Sequence, residues 1–350
     1  MERIPFDKKE LEIFESGFKG PDPRPITPRE NLKLFLRGEA PCWMPMNVQD
    51  VLCFRPRMHP DNYATHLICD AEPMPEYASN VAPGWFGLEW QYVPEVGGAT
   101  VRPGHPMLDD MSDWESVIKM PDLDEMDWER SAEANRDFLE NETKMREIGC
   151  LSGLWERLIS LMDVENAAVA LIDEEQQEGV HRFFSALCDL YDDMIDRYAR
   201  HYKLDMLLMH DDWGSQRAPF FSLDTCREMI APYLRRVADA CHRNGLYFEL
   251  HSCGKNEALV PAMLDAGVDL WCGQDLNDFD MLSKKYAGEP IAFGARLPET
   301  APGTSEGELM AIAEEFFEKY RSRRVLAVTR RVDPRLAACL YETSRKYYAR

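Results

Sequence analysis

Hydrophobic positions recur with two different periods along this chain of 350 residues, and the change of period marks its elements. From residue 147 onward, short apolar runs bounded by turn residues alternate with longer stretches whose apolar positions return every three to four residues. The short runs predict strands at Ile148–Leu151, Asp205–Met209, 246–251, Val268–Trp271, Pro290–Phe293 and Val325–Val328. The longer ones predict helices over Leu154–Met162 and Glu174–Tyr202, and one capped by Ser222 that turns Met229, Ile230, Leu234 and Val237 inward. Further helices are expected at 256–266, Phe279–Tyr286, Glu306–Tyr320 and Pro334–Tyr348. Ahead of these, Thr27-Pro28-Arg29-Glu30 has the form of a capping box with proline at the first helical position, and Gly38 ends that helix. Trp43–Val48 reads as a first strand.

Short strands alternating with helices indicate a parallel sheet. Six strands from 147 to 328, with one or two in the N-terminal third, make about eight, the number in a TIM barrel. A doubly wound sheet is the rival, but no Gly-x-Gly-x-x-Gly opens any helix. The expected fold is therefore α/β: a (β/α)8 TIM barrel with an N-terminal loop-rich extension. Residues 1–26, charged and then proline-rich, read as an arm lying over the surface or over a second copy in a homodimer, and 27–350 as one barrel domain. Residues 50–145 are rich in Pro, Asp, Trp and Met, a long irregular segment of the kind that covers a site.

Composition narrows the partners. A net charge of −22 argues against a nucleic-acid backbone or an anionic membrane surface as partner. No apolar run approaches the roughly 20 residues of a membrane span. The Met1–Pro5 start has no apolar core of a secretory signal, and the ten cysteines form no C-x-x-C pair, so reduced thiols in a cytoplasmic protein are expected.

One stretch concentrates chemistry: Phe248-Glu249-Leu250-His251-Ser252-Cys253-Gly254-Lys255. On a strand, alternate side chains share a face, so Glu249, His251 and Cys253 point the same way if the extended backbone persists. Zinc takes this mixture of carboxylate, imidazole and thiolate, and a catalytic zinc keeps one position open. The plain alternative is a buried cysteine and a hydrogen-bonded histidine at a strand end. Cys253 as a nucleophile with His251 as its base is a third reading. Barrel active sites are built at strand C-termini, and those positions here carry Asn47, Trp155, Glu156, His210, Asp211, Asp212, Gln216, Glu249, His251, Cys253, Gln274 and Arg296. Each could instead cap a helix or satisfy loop backbone; together they are richer than a structural rim requires.

His210-Asp211-Asp212-Trp213-Gly214-Ser215-Gln216, Phe220-Phe221-Ser222, Pro232-Tyr233-Leu234 and His251-Ser252-Cys253-Gly254-Lys255 resemble the uroporphyrinogen decarboxylase superfamily, within it the corrinoid-dependent methyltransferase branch. Trp85-Phe86-Gly87 and Ala266-Gly267-Val268-Asp269 extend the resemblance. It implies a (β/α)8 barrel, a His-x-Cys zinc pair at His251 and Cys253, and a corrinoid (cobalamin) carried by a partner protein. Two departures matter. The arginine-rich Arg-Gln-Ala-Gly-Arg segment of the true decarboxylases is missing from Asn47–Arg57, and the second cysteine of the thiol-methylating members is missing from Val325–Pro334. Glu249 is the candidate replacement ligand. The resemblance thus points to an O-demethylating enzyme that moves methyl from a small methoxylated aromatic to the partner's cobalt. Decarboxylation of a porphyrinogen, methyl transfer to a thiol and a non-catalytic corrinoid-binding barrel are the alternatives. A departing phenolate is basic, with a pKa of about 10, so His210, Asp211 or Asp212 is expected to orient or protonate the substrate. Trp85, Phe86 and Trp155 would wall its ring, and Asn47, Glu156, Gln216, Gln274 and Arg296 would bind it.

Overall fold

A computed structural model of the chain describes residues 24–58, 68–70, 72–73, 81–93, 98–101 and 104–348. The expected arm lies outside them up to residue 23. Seven strands are hydrogen-bonded in chain order: β1 (Val51–Phe54), β2 (Met145–Ser152), β3 (Met206–His210), β4 (Tyr247–His251), β5 (Leu270–Trp271), β6 (Ala292–Arg296) and β7 (Val325–Val328). The β2–β3, β3–β4, β5–β6 and β6–β7 ladders are parallel. Helices follow the strands as the periodicity requires: α1 (Pro28–Leu36), α2 (Leu154–Ala170), α3 (Gln177–Tyr202), α4 (Leu223–Met229), α5 (Ala231–Arg243), α6 (Val260–Ala266), α7 (Phe279–Lys285), α8 (Glu306–Tyr320) and α9 (Pro334–Tyr348). Among the described residues no helix is long and apolar enough to cross a membrane.

The described residues divide into two compact units, one drawn from 24–52, 141–145 and 269–348, the other from those between 53 and 140 and from 146–268. In the first, α1 starts with the expected box: Glu30 N donates to Thr27 Oγ1 (3.1 Å) and Thr27 N to Glu30 Oε2 (3.0 Å). The strand expected at Trp43–Val48 is not formed. It shrinks to a single parallel bridge between Met46 and Ala327, because 47–50 turn into one helical turn. Asp50, fully buried, holds that turn by accepting from Met46 N (2.8 Å) and from Trp43 Nε1 (3.1 Å). The sheet therefore has seven strands among the described residues where about eight were expected.

In the second unit, α3 buries Val180, Phe183, Phe184, Leu187, Tyr191, Met194, Ile195, Tyr198 and Tyr202 at helical spacing. Two helices break where the pattern alone is silent. Within α2, Asp163 takes φ 62°, and the freed Leu161 carbonyl accepts from Met107 N (2.8 Å) and Leu108 N (3.1 Å). The helix capped by Ser222 stops at Met229 and restarts as α5, whose first turn holds Pro232, a residue with no N–H to continue the ladder. Strand β4 is two-sided in burial: Phe248 and Leu250 are sealed, while Tyr247, Glu249 and His251 stay partly accessible. Val81–Pro83, Glu89–Val93 and Gly98–Val101 form a three-stranded antiparallel sheet, where the sequence reads only as loop.

Removing the Asp50 carboxylate strands two buried donors, so Asp50→Ala should lower unfolding stability by about 1–3 kcal/mol. Urea midpoints of the two proteins measure this; an unchanged midpoint would show that the turn at 47–50 does not depend on it.

Candidate metal centre

The site grows from the register of two parallel strands. Each ends on a histidine, and the pairing sets His210 of β3 opposite His251 of β4. Their rings lie 4.8 Å apart between centroids and 22° from parallel. Cys253, two residues beyond β4, brings Sγ to 3.6 Å from His251 Nε2 and 3.9 Å from His210 Nε2. The three ligand-capable atoms lie within 4.8 Å of one another. A second such group, Glu156, His210 and Asp212, overlaps the first through His210.

Glu156 comes from the first turn of α2, and its Oε1 lies 2.7 Å from His210 Nδ1. With that bond in place, a neutral His210 carries its proton on Nδ1 and turns the Nε2 lone pair toward Cys253 and His251. Asp212 Oδ1 sits 3.7 Å from His210 Nε2 and accepts from Cys253 N (3.3 Å). With its side chain 38% exposed, against 14% for Glu156, Asp212 is the carboxylate at the open side.

Asp211 has a different place from the one expected. Its fully buried carboxylate accepts from Glu156 N (2.7 Å), Trp155 N (3.2 Å) and Trp213 Nε1 (2.8 Å). It anchors the start of α2, and so positions Glu156, instead of meeting a substrate. Gly153 is required there, since a Cβ would fall 2.2 Å from Asp211 Cγ. The loop after Cys253 is tied down in a similar way. Gly254, at φ +93°, packs so closely on Gly214 that a Cβ would come 2.1 Å from its carbonyl oxygen. Lys255 N donates to Ser215 O (2.8 Å).

Charge is concentrated among these groups. Burial resists the charged form of His210, but the Glu156 carboxylate and the hydrogen bonds to Cys253 and Glu156 lift its pKa well above the usual histidine value. Burial raises Glu156, with the His210 charge and hydrogen bond pulling the other way. Burial, then the Glu156 charge, push Asp211 up to about 7 against its three donors. The Cys253 thiol is raised by burial and lowered by its hydrogen bond to His210.

The donor set fits a zinc ion. Two imidazole nitrogens and a sulfur are ligands that zinc accepts, and a tetrahedral ion with Zn–N about 2.0 Å and Zn–S about 2.3 Å spaces N and S roughly 3.5 Å apart. The Sγ–Nε2 distances of 3.6 and 3.9 Å are close to that. Glu249 does not enter the group: its carboxyl is hydrogen-bonded to Glu147, and the position expected of it is taken by His210. Register explains the exchange. Glu249 lies opposite Leu208, one pleat repeat before the pair His210–His251.

The remaining expected residues are distributed as follows. Trp155 is buried, its ring 5.9 Å from Phe220 and 5.4 Å from Phe221. Trp85 and Phe86 lie against the guanidinium of buried Arg157, at 5.5 and 5.3 Å. Gln216 is exposed in the turn between Gly214 and Pro219. Asn47, Gln274 and Arg296 belong to the other unit. There, Asn47 Oδ1 accepts from Thr329 N (2.8 Å), the Gln274 carbonyl accepts from Asn277 Nδ2 (2.9 Å), and Arg296 pairs with Asp275 (2.7 Å). The metal-facing place of His210 and the orienting place of Glu156 escape a reading by spacing along one strand. The available signal was that two strands of a parallel pair both end on histidine.

Comparison with known proteins agrees with this architecture. The chain matches the family model described as uroporphyrinogen decarboxylase (URO-D) over residues 81–291, more than half its length. No curated protein matches. Among solved structures, a methyltransferase from Methanosarcina mazei is similar at TM-score 0.62 and 16% identity, over 92% of this chain and 99% of that one. The IOLI protein with a bound zinc atom (TM-score 0.33, 9% identity, 65% of this chain and 83% of that one) is too distant to carry an argument. So is the E. coli 3-keto-D-glucoside 4-epimerase YcjR (TM-score 0.31, 14% identity, 63% and 84%). With the parallel α/β sheet in place and the family model spanning β2 to β5 together with their helices, the chain belongs to the uroporphyrinogen decarboxylase family.

Proposed function

We propose that this protein is a zinc-dependent methyltransferase that moves a methyl group from a small methoxylated aromatic donor to the cobalt of a separate corrinoid protein. The observation that carries the reading is the His210–His251–Cys253 group, with Glu156 behind His210 and Asp212 at the open side. The reading takes the parallel sheet as the greater part of a (β/α)8 barrel, with this group at the C-terminal ends of β3 and β4, where barrel enzymes do their chemistry. The fold shared with the Methanosarcina mazei methyltransferase is consistent with it. Porphyrinogen decarboxylation is disfavoured by the missing arginine-rich segment at Asn47–Arg57, and thiol methylation by the lack of a cysteine in Val325–Pro334.

A zinc ion held by His210, His251 and Cys253 would supply a Lewis acid to the ether oxygen, whose departure as phenolate is the difficult part of the reaction. In the transfer, the bond from methyl carbon to ether oxygen breaks with its electron pair left on oxygen. The carbon is taken by the electron pair of the partner's reduced cobalt. Around this event, Glu156 holds the His210 Nδ1 proton and keeps Nε2 a ligand. Asp211 holds Glu156 through the backbone of α2. Asp212, the accessible carboxylate, orients the donor and relays to the departing phenolate a proton taken from solvent. Phe220, 38% exposed and packed against Trp155, offers a face for an aromatic ring.

Metal analysis of the purified chain should find about one zinc per chain. His210→Ala, His251→Ala and Cys253→Ala should each lose it while keeping native circular dichroism. Glu249→Ala should retain it, and zinc loss in that variant would restore Glu249 as a ligand. Glu156→Gln should weaken zinc binding by about 10–100-fold, read from competition with a chelator. Finally, chain loaded with zinc and mixed with a methoxylated aromatic and a reduced corrinoid protein should release the phenol and methylate the corrinoid, followed by its absorption spectrum. Phenol release without corrinoid methylation would sink the assignment.

A further inference from the structure

The ladder between β3 and β4 closes before it reaches the sulfur. A bond from Asp211 N to the His251 carbonyl (2.9 Å) ends it, and Ser252 and Cys253 lie beyond the strand. The repeat of the sheet therefore does not fix the Cys253 backbone, and side chains hold it instead. Asp212 Oδ1 accepts from the Cys253 N–H (3.3 Å). The Cys253 carbonyl accepts from Asn256 Nδ2, and the same amide donates to the Ser252 hydroxyl. Asn256 and Ser252 are both completely buried.

Asn256 stands just ahead of the short helical turn Glu257–Leu259, where an asparagine ordinarily accepts from the N–H groups of the turn it precedes. It makes no such cap bond. Its amide is turned back onto Cys253 instead. Its oxygen packs on the other loop: a Cβ on Gly214 would fall 2.3 Å from Asn256 Oδ1. One buried side chain thereby touches both the loop after β3, which carries Asp212 and Gly214, and the loop after β4, which carries Cys253. Removing the amide takes a donor from the Cys253 carbonyl and from the buried Ser252 hydroxyl together, and acceptors left unpaired in this way are costly.

On the reading that His210, His251 and Cys253 hold a zinc ion, the structure assigns to Asn256 a positioning role: it sets the Cys253 peptide so that Sγ, 3.6 and 3.9 Å from the two Nε2 atoms, becomes the third ligand. Asn256 acts through the Cys253 carbonyl and the Ser252 hydroxyl, not on the metal or the donor. Its loss leaves both imidazoles where the strand register puts them and frees the sulfur alone. The result is a centre of nitrogen ligands that grips the ion less tightly.

The test uses the full chain loaded with cobalt(II) in place of zinc, because a thiolate bound to cobalt(II) gives a charge-transfer band that imidazole ligands do not. The wild type should show that band at about one cobalt per chain, and Cys253→Ser should lack it. Asn256→Leu keeps the size of the side chain and removes both donors; Asn256→Ala removes the packing on Gly214 as well. Each should lose at least about half of the band and bind zinc about 10–100-fold more weakly in competition with a chelator. Circular dichroism and cooperative urea unfolding of the metal-free chain should stay native. A full band and undiminished affinity in either folded variant overturns the assignment and leaves the metal centre standing. Loss of cooperative unfolding in both variants overturns it too, since Asn256 would then serve the fold at large. A wild type whose cobalt form has no thiolate band removes Cys253 from the centre, and this inference with it.

Discussion

The site depends on one register. Because β3 and β4 run parallel with Met206 opposite Tyr247, five successive pairs stay in step, and the last sets His210 beside His251. A slip of one residue would turn every side chain of one strand to the opposite face. The two imidazoles would then part, and Cys253 would be left with a single nitrogen partner. The register is held by sealed apolar residues on the outer face, Leu207, Met209, Phe248 and Leu250, each with no exposed surface. Hydrophobic packing on one side of the sheet thereby fixes ligand geometry on the other.

A second constraint is electrostatic. Three carboxylates, Glu156, Asp211 and Asp212, crowd two imidazoles and a thiol, an arrangement that costs free energy unless each carboxylate is paired. The structure gives each a separate task. Asp211 is consumed by three donors, Glu156 by the His210 ring, and Asp212 by Cys253 N while it stays accessible. A dication among them would relieve the remaining repulsion, which is the electrostatic counterpart of the donor geometry. Further down β4, Glu249 is hydrogen-bonded to Glu147 and lies outside the three-residue group.

Glycine appears where backbones or carboxylates approach too closely for a side chain. Gly153 admits Asp211 at the start of α2, and Gly254 admits the Gly214 backbone behind Cys253. Both are read from the sequence only as loop residues, because the atoms they accommodate come from segments about 40 to 60 positions away, beyond the reach of any local turn rule.

The sequence by itself determined the local elements and the half of the site that one strand carries. Periodicity placed β2 to β7 and their helices within a few residues, the capping box at Thr27 formed as written, and the alternation on β4 turned Glu249 and His251 to one face. These are short-range consequences of pleat, helical repeat and hydrogen-bond capping. Tertiary structure alone decided which neighbour completes the group. Strand spacing nominated Glu249, but the pairing of β3 with β4 brought in His210, the start of α2 brought in Glu156, and Asp211 was withdrawn to hold a helix. It also reduced the strand expected at Trp43–Val48 to one bridge, since the buried Asp50 favours a turn. Proximity within an element follows from its repeat, whereas proximity between elements follows from register and packing, and no single-strand pattern contains those.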